Sequence, residues 1–192
     1  MEISENISNL ITELANRNED VRWASAFALA RLGAPAVEPL MAALDNQDSV
    51  VRLRAAWVLG KIGDSRPVDR LIQTLRDGDW SVRMRAAEAL GRIGAHSALD
   101  ALLLALRDEN ADVRRHVIGA LTRIAEPSSV DRLAAVLHDP DWRVRMGAAL
   151  ALSAIGDKKS IAFLQKALCD ENEYVRKIAE GILKKQAAAS CA

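Results

Sequence analysis

Tryptophan, arginine, histidine and cysteine carry most of this chain's capacity to act on another molecule, and only the first two fall in a pattern. His96, His116 and His138 occupy three different positions of an internal repeat, and Cys169 and Cys191 have no metal-ligand or disulfide spacing. No Ser/His/Asp or Cys/His pairing, no glycine-rich phosphate loop and no His-Glu pair on a helix occurs. These absences lead us to expect a non-enzyme with no metal site and no cofactor. Tryptophan and arginine instead suit recognition: large rings with one polar edge, and planar cations that grip carboxylates with two bonds.

The elements that must position them are written as a repeat. Val-Arg pairs stand at Val21-Arg22, Val51-Arg52, Val82-Arg83, Val113-Arg114, Val144-Arg145 and Val175-Arg176, spaced by 30 residues once and by 31 four times. Fourteen residues before each of the last five pairs, and at Ile7 before the first, an apolar quartet begins. Ile7, Leu10, Ile11, Leu14 is the first and Val37, Leu40, Met41, Leu44 the second. That spacing lines one helix face. The last quartet, Ile161, Leu164, Gln165, Leu168, is interrupted by Gln165. Asn18, Asp48, Asp79, Asn110, Asp141 and Asn172 precede each Val by three residues and are expected to cap a second helix. Asn16, Asn46, Asp77, Asp108, Asp139 and Asp170, two residues earlier, are expected to close the first. Gly33, Gly63, Gly94 and Gly156 end second helices, whereas Ala125 followed by Pro127 predicts a connection of different geometry. The 30-residue interval is a loop shortened near Gly33-Ala34-Pro35.

The expectation is therefore six helix pairs, about 4–33, 34–63, 64–94, 95–125, 126–156 and 157–186, forming one domain over 1–186, with a disordered tail at 187–192. One pair cannot hold itself together, because its apolar burial is offset by the ordering of its own residues, and stacking supplies the remainder.

The motif Asp-x-x-Val-Arg-x-x-Ala-Ala-x-Ala-Leu-Gly-x-Ile-Gly, most complete at residues 79–94, resembles the short HEAT-like repeat named after phycobilisome (PBS) lyases. The resemblance implies an all-α fold, a right-handed α-solenoid (alpha-alpha superhelix) with second helices along its concave face. It also implies function by protein binding, as in most members of that family.

In the second helix, Val82, Ala86, Ala89, Leu90 and Ile93 make the buried stripe, and Trp80, Met84, Glu88 and Arg92 run opposite it. All four tryptophans of the chain, Trp23, Trp57, Trp80 and Trp142, fall on this second stripe across the repeats. With the first stripe already occupied by aliphatic residues, the second is expected to face a partner. Together with nearby cations, the candidate partner-binding residues are Trp23, Phe27, Leu53, Arg54, Trp57, Trp80, Met84, Arg85, Glu88, Arg115, His116, Trp142, Arg143, Met146, Leu150 and Tyr174. Small residues at Ala111, Gly119 and Gly147 suggest a recess between these rings, rimmed by guanidinium groups. The Arg of each Val-Arg pair is expected to bond turn carboxylates and carbonyls between neighbouring repeats rather than a ligand.

Twenty-six Lys and Arg balance 26 Asp and Glu, so no net field draws the molecule to nucleic acid or anionic lipid. The N-terminus lacks a basic segment and an apolar run, and no stretch approaches the roughly 20 apolar residues of a membrane span. The reading is a cytoplasmic scaffold, monomeric or weakly oligomeric, that binds a protein partner. A bilin- or cofactor-handling accessory subunit of lyase type is the first alternative, and nucleic-acid binding, disfavoured by the charge balance, the second.

Overall fold

The computed structural model describes residues 2–190, and side-chain exposure over 4–188. All regular structure among these residues is helical. The pairs are α1 (Glu2–Glu13) with α2 (Glu19–Leu32), α3 (Val37–Ala43) with α4 (Ser49–Ile62), and α5 (Val68–Thr74) with α6 (Trp80–Ile93). They continue with α7 (Leu99–Ala105) and α8 (Ala111–Ile124), α9 (Val130–Val136) and α10 (Trp142–Ile155), and α11 (Lys158–Ala167) and α12 (Glu173–Ser190). Single 3-10 turns at Ala34–Ala36, His96–Ala98 and Pro127–Ser129 lead into α3, α7 and α9. The helices gather into two compact units, Met1–Leu102 and Leu103–Ala192, whose divide falls within α7.

Each second helix starts where the caps dictate. Asn18, Asp48, Asp79, Asn110 and Asp141 accept from the amide two residues on, and Asn172 accepts from the Tyr174 amide at 2.9 Å. The earlier Asn or Asp closes the first helix as expected, its amide bonding the carbonyl of that helix's last residue, as Asn46 does to Ala43 and Asp139 to Val136. Its side chain reaches forward, Asn46 Oδ1 taking the Asp48 amide and Asp139 Oδ1 the Asp141 amide, both at 2.9 Å. These are Asx turns, so two carboxyl or amide oxygens in tandem set the direction of the backbone entering every second helix.

The connection after α8 departs from expectation. Ala125 takes φ 51 and ψ 39, the left-handed cap that Gly63, Gly94 and Gly156 take. The 31-residue register demands this turn whether or not glycine is present, so alanine holds it against its steric preference. The connection of different geometry is at Gly33, φ 67 and ψ −132, where the loop is one residue short and the chain must leave the helix in another direction. The tail expectation also needs correction, since α12 continues to Ser190 through an alanine run of high helix propensity. Residues 191 and 192 lie outside the described residues.

In unit 1 the second helices stack α2 on α4 on α6, and in unit 2 α8 on α10 on α12. Leu29, Leu40, Leu59, Leu71 and Leu90 are sealed in the first unit, and Ile118, Leu121, Leu133, Leu152 and Leu164 in the second. The stripe named from sequence holds at Val82, Ala86, Ala89 and Leu90, while Ile93 is half-buried. At Gly60, α4 approaches α6 so closely that an added Cβ would lie 2.7 Å from Ala89 Cα. Where Gln165 interrupts the last quartet, Leu168 is left exposed.

The Val-Arg pairs act as cross-links. Arg52, Arg114 and Arg145 each donate Nη1 to two carbonyls of their own turn. Their Nε and Nη2 fork onto the carboxylate of the following turn: Asp77 at 2.7 and 2.8 Å, Asp139 at 2.7 and 2.8 Å, Asp170 at 2.8 and 2.9 Å. Burial pushes the Asp77 and Asp170 pKa values up, but the bonds from Arg52 and Arg145 outweigh it and hold both below the ordinary carboxylate value. Arg22 makes the same carbonyl bonds at 2.8 and 3.0 Å. The next turn offers it Asn46 rather than Asp, and its Nε is buried without an acceptor.

Candidate functional site

The second stripe of the second helices takes a different form in each unit. In unit 1, Trp23 and Phe27 of α2 and Trp57 of α4 pack on one another. Trp57 meets Trp23 edge-on at 5.1 Å between centroids and Phe27 edge-on at 5.3 Å, and Trp23 and Phe27 are 6.2 Å apart. Such T-shaped contacts join the positive edge of one ring to the negative face of another. Trp57 is thereby only 9% exposed, so it supports the cluster from beneath instead of facing outward as expected, while Phe27 is 53% exposed. Trp23 is half-buried, with its indole N–H 3.4 Å from Glu19 Oε1.

Cations lie against these rings. The Arg54 guanidinium sits 5.2 Å from the centroid of Trp23, and Lys61 Nζ 5.3 Å from that of Trp57. Arg54 departs from its expected surface position, being only 6% exposed. Burial, then the nearby Arg22 cation, lowers its pKa from arginine's ordinary value. Lys61 was not among the sequence candidates, although its place four residues after Trp57 on the same helix face was a usable signal.

On α6, Trp80 is 44% exposed, and Leu53 on α4 and Met84 beside it are half-buried. Arg85 Nη1 donates to Glu88 Oε2 at 2.6 Å, and Arg92 donates Nε and Nη2 to Glu88 Oε1 at 3.0 and 2.9 Å. Burial pushes the Glu88 pKa up, but these bonds outweigh it and hold it below the ordinary value. The structure thus joins Arg85 and Glu88, with Arg92, into one group of two guanidiniums on a single carboxylate.

In unit 2, Trp142 of α10 stacks on Tyr174 of α12 at 5.4 Å and 26°, with Arg143 5.0 Å from the Trp142 centroid and Lys177 5.9 Å from that of Tyr174. Trp142 and Met146 are half-buried, and Arg143, Leu150 and Tyr174 are exposed. Arg115 is exposed and pairs with Asp112 at 2.9 Å, and His116 donates from Nδ1 to the Asp112 carbonyl at 2.8 Å. Ala111, Arg115, Asp141 and Arg143 line a recess of about 340 Å³.

A larger groove of about 700 Å³ lies between α9 and α11, among Ala134, Phe163, Lys166, Ala167 and Cys169. Sequence reasoning missed it. Among the described residues, no group of three or more His, Cys, Asp or Glu could hold a metal ion, and no helix is long and apolar enough to cross a membrane.

Stacked helix pairs with rings and guanidinium groups along their second helices define a class of repeat proteins built from two-helix units. The chain belongs to the HEAT repeat family, whose model matches residues 7–77, 37–109 and 99–184. Among solved structures it is similar to the complex of CpcE and CpcF of the phycocyanin lyase from Nostoc sp. PCC7120, at 25% identity over 96% of this chain and 79% of that one, TM-score 0.67. It is similar as well to YibA of Escherichia coli, at 24% identity over 96% and 72%, TM-score 0.76. A designed armadillo repeat protein in complex with the peptide (KR)4 matches at 19% identity over 94% and 99%, TM-score 0.62. No curated protein matches the chain in sequence.

Proposed function

We propose that this protein is a non-enzymatic interaction scaffold that binds a protein partner along its second helices. The observation that carries the reading is the exposure of Phe27, Trp80 and Leu150, all on second helices and on the side opposite the buried aliphatic stripe, with Tyr174 exposed beside that stripe. Rings left uncovered beside guanidinium groups are typical of interface centres. Its setting in this reading is the cytoplasm, where exposed Cys169 stays a thiol, and its state is a monomer or weak oligomer. A pull-down comparing the intact chain with the Trp80→Ala/Trp142→Ala variant tests it. A partner held by the first and lost by the second, with both melting alike, supports the scaffold; a partner held equally by both overturns it.

The likeness to the phycocyanin lyase subunits favours one other reading, an accessory subunit that handles a flat anionic pigment between its aromatic and guanidinium groups. Addition of a free bilin separates the two, since a bound pigment would shift its visible absorption and quench Trp142. Nucleic acid is the weakest candidate for a chain of zero formal charge, and would announce itself by a steep fall of affinity with salt.

A further inference from the structure

The repeat places an arginine at the same point of two successive second helices in unit 1. Arg54 and Arg85 each stand three residues after the buried Val51 and Val82. Arg85 has its carboxylate three residues on, in Glu88 at 2.6 Å. The residue in that place for Arg54 is Trp57. Arg54 is accordingly left with one long hydrogen bond, Nη1 to the Val50 carbonyl at 3.4 Å, and a buried Nε with no acceptor. Beyond these it has the Trp23 face at 5.2 Å and the fields of the Glu19 and Asp48 carboxylates, which do not outweigh burial and the Arg22 cation.

A guanidinium offers five N–H donors and cannot shed its charge, so a buried one with a single weak bond is under-neutralised. The deficit lies beside the ring cluster whose outer member, Phe27, is exposed.

We propose that Arg54 receives a carboxylate from the protein partner. The group is an Asp or Glu side chain on a segment whose neighbouring large apolar side chain packs on Phe27. The proposal rests on the protein-binding reading of the second helices. It favours a carboxylate over a phosphate because the Arg85–Glu88 pair is the same recognition already built within the chain. With so weak a bond to Val50, Arg54 lifts from Trp23 to meet its acceptor, which makes Trp23 emission a reporter of binding.

The test is selection of displayed random 16-residue peptides on the full chain, followed by titrations read by tryptophan fluorescence. The expected peptides carry Asp or Glu beside a large apolar residue. Replacing that acid by its amide weakens binding about tenfold, the scale of a lost charged hydrogen bond. Arg54→Met has the same effect, and on that variant acid and amide bind alike. Trp57→Glu, which supplies the carboxylate within the chain, also weakens the acidic peptide, whereas Arg132→Met leaves it unchanged. Thermal melts confirm that each variant is folded.

Peptides without an acid whose binding falls in Phe27→Ala would overturn the carboxylate while keeping the docking surface. Failure to enrich any peptide would overturn both. Stronger competition by a phosphopeptide or an oligonucleotide than by the acidic peptide would also overturn the proposal.

Discussion

The same register positions are filled in opposite ways by the two units. In unit 1, three rings close over one another at 5.1 to 6.2 Å, and Gly60 lets α4 press against the Cα of Ala89. In unit 2, small residues stand at Ala111, Gly119 and Gly147, the rings are the separate Trp142–Tyr174 stack, and a polar recess opens beside Arg115 and Arg143. Side-chain size along one stripe therefore decides whether a helix-pair repeat fills its outer face from within or leaves room there. The backbone pattern is common to both.

The largest effect is expected in the shared core. Leu90→Ala empties a fully buried site and should cost about 2 to 5 kcal/mol in urea unfolding. If Leu152→Ala in unit 2, equally buried, costs as much, the two units differ only on their outer faces, as the comparison holds.

Glycine substitutions sharpen the contrast. Gly60→Ala must force α4 from α6 and should destabilise by about 1 to 3 kcal/mol. Gly119→Ala meets nothing nearer than Arg123 Nη1 at 3.7 Å and should stabilise by up to about 1 kcal/mol, the helix-propensity difference. Equal signs in thermal melts would break the comparison.

Ala125→Gly, in unit 2, relieves a left-handed alanine and should add about 1 kcal/mol, seen as a higher melting temperature.

The smallest effect is that of acid. Asp77, Asp79 and Glu88 in unit 1 and Asp170 in unit 2 have folded pKa values below their ordinary ones, and the half-buried Asp64, bonded by Arg66, lies at about 2. Groups depressed on folding contribute stability that is whole above the unfolded value near pH 4 and is lost as pH falls through the folded one. The melting temperature should be flat from pH 7 to 5 and decline below about 4. Glu88→Gln should flatten part of that decline, which assigns the part to unit 1.

Much of this was legible before any coordinates. The Val-Arg spacing and the Asn or Asp caps are local signals, and they fixed helix pairs and their starts correctly. The two-residue-earlier Asn or Asp closes the first helix as read, but its forward bond went unseen because an Asx turn and a helix stop use the same residue types. Ala125 misled because its own preference yields to the register imposed by stacking. At the candidate site, the stripe located the rings but not their exposure. Trp57 is covered by Trp23 and Phe27 from the preceding repeat, and periodicity within one helix carries no information about that neighbour. The isolation of Arg54 was hidden for the same reason: it shows only when residue 57 is compared with residue 88.

The arginine forks have a mechanical meaning. Each ties two carbonyls of its own turn to the acid of the next, so one hairpin cannot open without loosening the grip on its neighbour. Arg22, facing Asn46, is a rung with one end untied. Amide exchange should accordingly begin in the first hairpin and spread inward until it meets Arg52 and Asp77, the first rung fastened at both ends.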